Sequence, residues 1–226
     1  MSIYDWPGWG VSGFELRVLP NTRRFDGPYT PVTQVIDLLG ERLQGTITLP
    51  PTTNTIEVAA REAFFDRLKG PANLIRLWHL KLTAPQGTAR DGSVIGLVNT
   101  AGSALNLVNT AGSALTLVSG TPALAADVAQ GANTALIQGT PGTTYLPGDP
   151  LGIAGQWVRV MAPVTFDGSG QATLEFQPRA RAAWAAGTPL VWNRPTFNAM
   201  LKGDGVPTQW VPGYGQGASF DFIEVP

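Results

Sequence analysis

The sequence predicts a mainly β protein with one α-helix, and three observations lead to this prediction. Short runs in which apolar and polar residues alternate recur along the chain, as in half-buried β-strands. The chain has 27 glycines and 19 prolines, which suits many short strands joined by turns. One stretch alone combines helical spacing of apolar residues with recognisable helix ends.

Three strands are expected before that helix, at residues 14–18, 32–39 and 43–49. The third has the clearest alternation, because polar residues separate its leucines and its isoleucine. The pair Pro50-Pro51 ends it.

The helix is predicted over residues 54–70. Asn54 is the expected cap, Glu57 the residue that reaches back to the N–H of the cap, and Gly70 the left-handed end. Glu57 and Arg61 stand one turn apart on the polar side, in the favourable order. The predicted apolar stripe consists of Ile56, Ala60, Ala63, Phe64 and Leu68. A helix with one apolar face needs a sheet to cover.

The remaining strands follow the helix. They are expected at residues 73–82, 134–137, 151–153, 156–160, 172–177, 190–192, 197–201 and 208–211, with a final strand through Ala218, Phe220 and Phe222. The run Asp167-Gly168-Ser169-Gly170 superficially resembles the start of a calcium loop, but the further oxygen ligands are missing and a hairpin turn is favoured.

The final strand suggests how the chain is organised. Such a strongly patterned strand needs a sheet to join, and the sheet beside the helix is the obvious candidate. The composition shifts near residue 85. We therefore expect a discontinuous domain, residues 1–84 plus 191–226, with residues 85–190 inserted as a second β unit.

A ten-residue repeat lies inside that insert. Residues 97–105 and 107–115 both read LVNTAGSAL, within a stretch from residue 92 to 126 that carries no charged side chain. Apolar, β-prone and uncharged, the repeat would promote aggregation if exposed. It is either buried in the fold or covered by a neighbouring subunit, and the second interpretation is favoured.

Composition excludes several functions. A net charge of −1 and a pI near 5.8 give no basic surface for nucleic acid or for an anionic membrane. No apolar run is long enough to span a membrane, and the first ten residues lack the features of a signal peptide. Without cysteine, disulfides and thiolate metal sites are excluded.

Catalytic signatures are missing as well. The single histidine, His79, lies in a predicted strand, and no serine stands in a G-x-S-x-G elbow. Neither a Walker loop nor a dinucleotide-binding glycine motif occurs. The sequence therefore predicts that the protein is not an enzyme and needs no cofactor, although paired carboxylates of a glycan hydrolase are invisible at this level.

Candidate binding residues are mostly aromatic or apolar. Trp6 and Trp9 lie in an irregular N-terminal segment, where they either dock on their own domain or contribute to an interface. The candidate subunit-interface residues are Trp6, Trp9, Tyr29, Leu97, Leu105, Leu107 and Leu115. As an alternative, Trp157 and Trp184 could stack on sugars in a carbohydrate-binding module that recognises a host surface.

Parts of the sequence resemble a known family. The run LRVLPNTRRFDGPYTPVTQVIDLLGERLQGTITLPP, residues 16–51, is similar to the N-terminal segment of distal tail proteins of long, flexible-tailed bacteriophages. The helix IEVAAREAFFDRLKG resembles the next element of that family. Further similar stretches are LPGDPLGIAGQWVRV, TLEFQPRAR, the Arg194-Pro195-Thr196 return and the closing SFDFIEVP.

This resemblance implies a structural role in the virion. Family members form a ring, commonly of six subunits, through a β-rich belt domain with one helix. A second domain, often an OB-like or other small β-barrel or β-sandwich, projects from the belt. The implied partners are other copies of the chain, the tail tube protein, the tail-tip hub protein and the tape measure protein. The implied location is the tail tip, or baseplate, of the virion, after synthesis in the host cytoplasm.

Overall fold

The computed structural model describes residues 1–26, 33–38, 40–89, 121–207 and 210–225. The strands of the first half are β1 (Ile3–Asp5), β2 (Gly13–Leu19), β3 (Thr22–Asp26), β4 (Thr33–Asp37), β5 (Arg42–Thr48) and β6 (Leu74–Trp78). The helix α1 (Thr55–Leu68) and a 3₁₀ turn (Gly70–Ala72) lie between β5 and β6.

In the second half of the chain, the described residues form strands and no helix. The strands are β7 (Ala123–Leu124), β8 (Thr134–Gln138), β9 (Thr144–Tyr145), β10 (Pro150–Ile153), β11 (Gln156–Val160), β12 (Val164–Thr165), β13 (Gln171–Gln177), β14 (Leu190–Val191), β15 (Thr196–Leu201), β16 (Trp210–Val211), β17 (Tyr214–Gly215) and β18 (Ser219–Glu224). Within the described ranges α1 is the one α-helix, so the prediction of a mainly β chain with one helix is confirmed.

The first six-stranded sheet joins the two ends of the chain. Its strand order is β1-β6-β15-β18-β5-β2, and the last strand, β18, lies between β15 and β5. The prediction that the final strand completes the sheet beside the helix is confirmed. One face is buried, because Leu43, Ile47, Phe220 and Phe222 project to it from neighbouring strands.

The second six-stranded sheet, in the order β14-β10-β11-β13-β8-β7, closes into a barrel. Its two end strands meet, since Leu124 donates to the carbonyl of Thr188 at 2.9 Å and accepts from Gly187 at 2.7 Å. Leu190 also donates to the carbonyl of Pro122 at 2.8 Å. Closure satisfies backbone groups that an open edge would leave unpaired. The largest buried side chains inside are Tyr145, Phe166, Phe176 and Trp184.

The two sheets touch through specific side chains. Trp157 projects from β11 of the barrel into the core of the first sheet, where its ring lies 6.2 Å from that of Phe197. Arg159, two residues further on, donates to the carbonyl of Leu16 at 3.1 Å. The proposed domain boundaries at residues 84/85 and 190/191 stay a prediction.

The helix begins as expected, but its capping network differs. The Asn54 carboxamide accepts from the N–H groups of Ile56 and Glu57, as predicted. The predicted return contact from Glu57 to the cap is wrong: the cap N–H donates to the Thr52 hydroxyl at 3.2 Å, and the Glu57 carboxylate binds Thr52 and Arg61. The left-handed C-cap is Lys69, with φ 50°, and Gly70 follows with φ 62°.

The predicted apolar stripe of the helix is confirmed in part. Leu68 is buried and Phe64 is half-buried against the core, whereas Ile56 is 79% exposed and Ala60 and Ala63 are exposed. The other buried residues of the helix are Val58, Arg61 and Phe65. Arg61 was expected on the polar side. Its guanidinium is held in the buried position by a hydrogen bond to the carbonyl of Pro50 at 2.8 Å and an ion pair with Glu57 at 2.7 Å.

Several strand boundaries differ from the prediction. β6 ends at Trp78 instead of continuing to residue 82, because the N–H of Leu82 donates to Nδ1 of His79 in a turn. The short strands β1 and β3 were not anticipated. β1 is parallel to β6, and β3 is antiparallel to β4.

Candidate assembly surface

A long β-hairpin dominates the N-terminal half of the chain. Its base is the pair β2–β5, in which Leu19 lies opposite Arg42. Its outer part is the pair β3–β4, in which Thr22 lies opposite Asp37. We refer to this outer part, residues 22–26 with 33–37, as the ribbon.

An irregular step separates the ribbon from the sheet. On one strand Pro20 and Asn21 lie between the two ladders, and on the other the described residues between them are Leu38, Gly40 and Glu41. The N–H of Leu38 donates to the carbonyl of Asn21 at 2.9 Å. The two sides of the hairpin are therefore unequal in length at this step.

The ribbon has no third strand. Among the described residues β3 pairs only with β4, and the two form a separate two-stranded sheet. Five residues of strand reach roughly 17 Å, at about 3.3 Å per residue. A two-stranded hairpin without further packing is marginally stable in water.

The ribbon side chains are exposed on both strands where the structure describes them. Consecutive side chains of a strand point to opposite faces, and Arg23 and Arg24 are both exposed. On the returning strand Ile36 is 47% exposed, and Leu38 just beyond it is 47% exposed. The ribbon therefore presents Ile36 and the guanidinium of Arg23, beside the exposed Leu38, on a backbone that can accept a partner strand.

The two N-terminal tryptophans lie against their own chain. Trp6 is buried and Trp9 half-buried, and their rings meet edge-on at 5.4 Å. Phe64 completes the cluster, with its ring 5.3 Å from that of Trp9. Of the two interpretations for this segment, docking on the parent domain is the one that fits Trp6.

Several other interface candidates lie outside the described residues. These are Tyr29, Leu97, Leu105, Leu107 and Leu115, together with the whole LVNTAGSAL repeat. Their role stays a prediction.

The prediction that Trp157 and Trp184 stack on sugars is wrong. Trp157 has no exposed surface and Trp184 is 4% exposed, so neither ring offers a face to a sugar. Trp157 is covered by the core of the first sheet, and Trp184 packs inside the barrel with its ring 5.4 Å from that of Phe176. Alternation alone could not reveal this, because both faces of β11 are covered.

The ribbon residues were missed as candidates at the sequence level. The run TRRFD of β3 has no apolar–polar alternation, since both of its faces are exposed where described. The signal that could have indicated it is the combination of adjacent arginines with the strand pattern of residues 32–39.

Electrostatics identify no catalytic centre in the described part of the chain. Burial, followed by the charge of Arg159, lowers the pKa of His79 to about 4. His79 accepts a backbone N–H and its ring contacts Phe14 at 4.9 Å, which is a packing role. No group of three or more histidine or acidic residues suited to a metal ion occurs among the described residues.

The turn that resembles a calcium loop behaves as a hairpin turn. Oδ1 of Asp167 accepts from the N–H and hydroxyl of Ser169 and from the N–H of Gln171. These hydrogen bonds lower the pKa of the Asp167 carboxyl. The carboxylate is thus used within its own turn.

Comparisons with known proteins add no relative. No protein-family model matches the chain, and no curated protein matches it. In the described part of the chain, no helix has the length and apolar character needed to cross a bilayer.

Proposed function

We propose that this protein is a structural component of a phage tail, and that its copies assemble into a closed ring which joins the tail tube to the tail-tip hub. The main support for this proposal is the ribbon. It is a two-stranded sheet whose described side chains are exposed, so that another protein chain can bind to it. The proposed role uses no catalytic residue.

The sequence resemblance supports the same proposal. Its longest stretch, residues 16–51, coincides with the long hairpin from β2 to β5. In distal tail proteins this segment belongs to the ring-forming belt. We therefore propose a ring of six subunits, with tube, hub and tape measure proteins as its partners.

The partner of the ribbon is proposed to be the next copy of the chain. A contact between two different surfaces of identical subunits closes into a ring when the rotation between the subunits allows it. The ribbon is one such surface, and its arginines favour an acidic receiving surface.

A groove beside the C-terminal end of α1 fits this requirement. Its volume is about 420 Å³. It is lined by Phe65, Asp66, Lys69, Gly70, Asp204, Gly205, Val206 and Pro207. Two carboxylates against one ammonium give it a net negative charge, and the half-buried Val206 supplies apolar surface for residues such as Ile36.

Shortening the ribbon tests the proposal. A variant in which residues 22–37 are replaced by a two-residue turn should keep the melting temperature of the wild type. The reason is that Thr22, Arg23, Arg24 and Ile36, the described side chains of the ribbon, are exposed and contribute little to the core. Its mass by light scattering should fall to that of a monomer. A shortened variant that still forms the ring would contradict the role of the ribbon.

A charge exchange tests the receiving groove. Arg23→Glu and Asp204→Arg should each weaken assembly, and the chain that carries both should recover it. Arg76→Glu, an exposed arginine on the face of the first sheet, is the matched control. If assembly is lost in the doubly substituted chain, the groove assignment is wrong, whereas the ring itself is tested by the mass of the wild type.

A further inference from the structure

A second groove lies on the N-terminal segment, away from the ribbon. It has a volume of about 520 Å³, which is in the range of pockets for small ligands. Its walls are Trp6, Pro7, Gly8, Trp9, Gly10, Val11, Trp78, Leu80, Lys81, Thr83 and Arg194. We refer to it as the tryptophan groove.

Aromatic rings form part of its surface. Trp78 and Trp9 are half-buried, so each ring keeps some surface open. Trp6 also lines the groove.

Two cations lie in the same groove. Nζ of Lys81 donates to the carbonyl of Val11 at 3.1 Å, which holds the ammonium against the N-terminal segment. The Arg194 guanidinium lies 5.7 Å from the centre of the Trp78 ring. Because the described residues lining the groove include no acidic side chain, its charge is positive in a chain whose net charge is −1.

Arg194 is held in an uncommon backbone conformation. Its φ is +48°, in the left-handed region that a long side chain rarely adopts. The N–H of Arg194 donates to the carbonyl of Thr83 at 2.7 Å, and this bond ties the residue to the opposite wall. Strained residues of this kind concentrate at ligand sites, where the surrounding structure enforces them.

We propose that the tryptophan groove binds an acidic saccharide, a short glycan with a carboxylated sugar unit. The apolar C–H face of a sugar ring packs on Trp78 or Trp9, as amphipathic ligands do on aromatic side chains. The carboxylate of the sugar binds Arg194 and Lys81 through charge-assisted hydrogen bonds.

The groove favours a saccharide over two other anionic ligands. A peptide that adds to a sheet needs a strand edge, and here the wall is an irregular segment, residues 6–11. A nucleic acid needs an extended basic surface, and the groove has two cations. This site replaces Trp157 and Trp184, whose burial removes them from sugar binding.

Glycan binding by the purified full chain tests the proposal. The probe is an array that carries uronic-acid and sialic-acid oligosaccharides beside their neutral counterparts, followed by titration of the best ligand. We expect binding to the acidic members alone. Arg194→Gln and Trp78→Ala should each weaken binding about tenfold or more.

Matched controls separate the groove from the rest of the surface. Arg67→Gln removes an exposed arginine on α1, and Trp210→Ala removes a tryptophan that is 49% exposed outside the groove. Neither should change affinity.

A glycine at position 194 separates loss of the side chain from loss of folding. Because Arg194→Gly relieves the backbone strain, the variant should be at least as stable as the wild type, and its affinity for the glycan should nevertheless be reduced.

Any one of the following results would overturn the proposal. They are absence of binding to every acidic glycan, equal binding of the neutral counterparts, and binding that persists in Arg194→Gln and Arg194→Gly. Capture of acidic peptides in place of glycans on a parallel peptide array would also overturn it. Ring formation is measured separately, so either proposal can fail without the other.

Discussion

Arg181, on the loop after β13 of the barrel, forms a two-pronged ion pair with Glu224 on β18 of the first sheet. Nη1 of Arg181 lies 2.7 Å from Oε1 of Glu224. Glu224 is only 2% exposed, and its other oxygen also accepts the N–H of Leu43 at 2.9 Å. This pair therefore fixes the barrel to the sheet that contains the chain end.

Removal of the charge on Glu224 should destabilise the protein. Glu224→Gln leaves the partly buried Arg181 without its counter-ion, and we expect a loss of about 3 kcal/mol in the free energy of unfolding. Urea unfolding measures it, with Glu175→Gln on the exposed side of β13 as the control. A loss below about 0.5 kcal/mol would show that the pair contributes little.

The helix offers a direct test of its buried face. Phe65→Ala should cost about 3 to 5 kcal/mol, because Phe65 is 4% exposed and packs against Phe220 with ring centres 5.0 Å apart. Ile56→Ala should change the unfolding free energy by less than about 0.5 kcal/mol, since Ile56 is 79% exposed. Equal effects of the two substitutions would show that the helix does not pack on the sheet through the face that contains Phe65.

Asp149 binds the segment at residues 86–87 to the barrel. Its buried carboxylate accepts the N–H groups of Gln86 at 2.6 Å, Gly87 at 3.2 Å and Leu146 at 2.7 Å. Asp149→Asn turns one acceptor into a donor that faces another donor, and we expect a loss of about 1 to 3 kcal/mol. Thermal unfolding compared with Asp204→Asn, at an exposed aspartate, measures this. A melting temperature equal to that of the control variant would refute the role of Asp149.

His79 should make stability depend on pH. Burial, followed by the charge of Arg159, lowers its pKa to about 4, against about 6.5 in the unfolded chain. As pH falls from about 6.5 to about 4, the unfolded state takes up a proton that the folded state does not. The contribution of neutral His79 is therefore complete above pH 6.5 and is lost across this window.

His79→Asn removes that titration and keeps an acceptor for the N–H of Leu82. Urea unfolding at a series of pH values should show that the stability of the variant falls less steeply between pH 6.5 and 4 than that of the wild type. The difference in slope should correspond to the uptake of up to about one proton on unfolding. Parallel profiles for the wild type and the variant would show that His79 titrates normally in the folded state.

Much of the sheet architecture was predictable, because burial on one face leaves a readable pattern. In β5 and β18 the buried apolar side chains alternate with more exposed polar ones, so alternation locates both strands. Glu224 is the exception, because it is a polar residue on the buried face of β18. The cap at Asn54 was predictable for a similar reason: its chemistry is local.

Contacts between distant residues were not predictable in the same way. The barrel closes where residues 122–124 form hydrogen bonds with residues 187–190. Nothing in the sequence of either segment indicates that it pairs with the other. Arg61 looks like a surface residue until the carbonyl of Pro50 is placed beside it. Trp157 looks like a surface platform until the first sheet covers it.

The mass of the wild-type protein in solution tests the central claim most directly. Multi-angle light scattering, with negative-stain images of the same fraction, should give six copies of the 23.9-kDa chain, about 143 kDa, in a ring with a central hole. A monomer of 23.9 kDa that persists at the highest attainable concentration, with no binding to the tail tube protein, would contradict it.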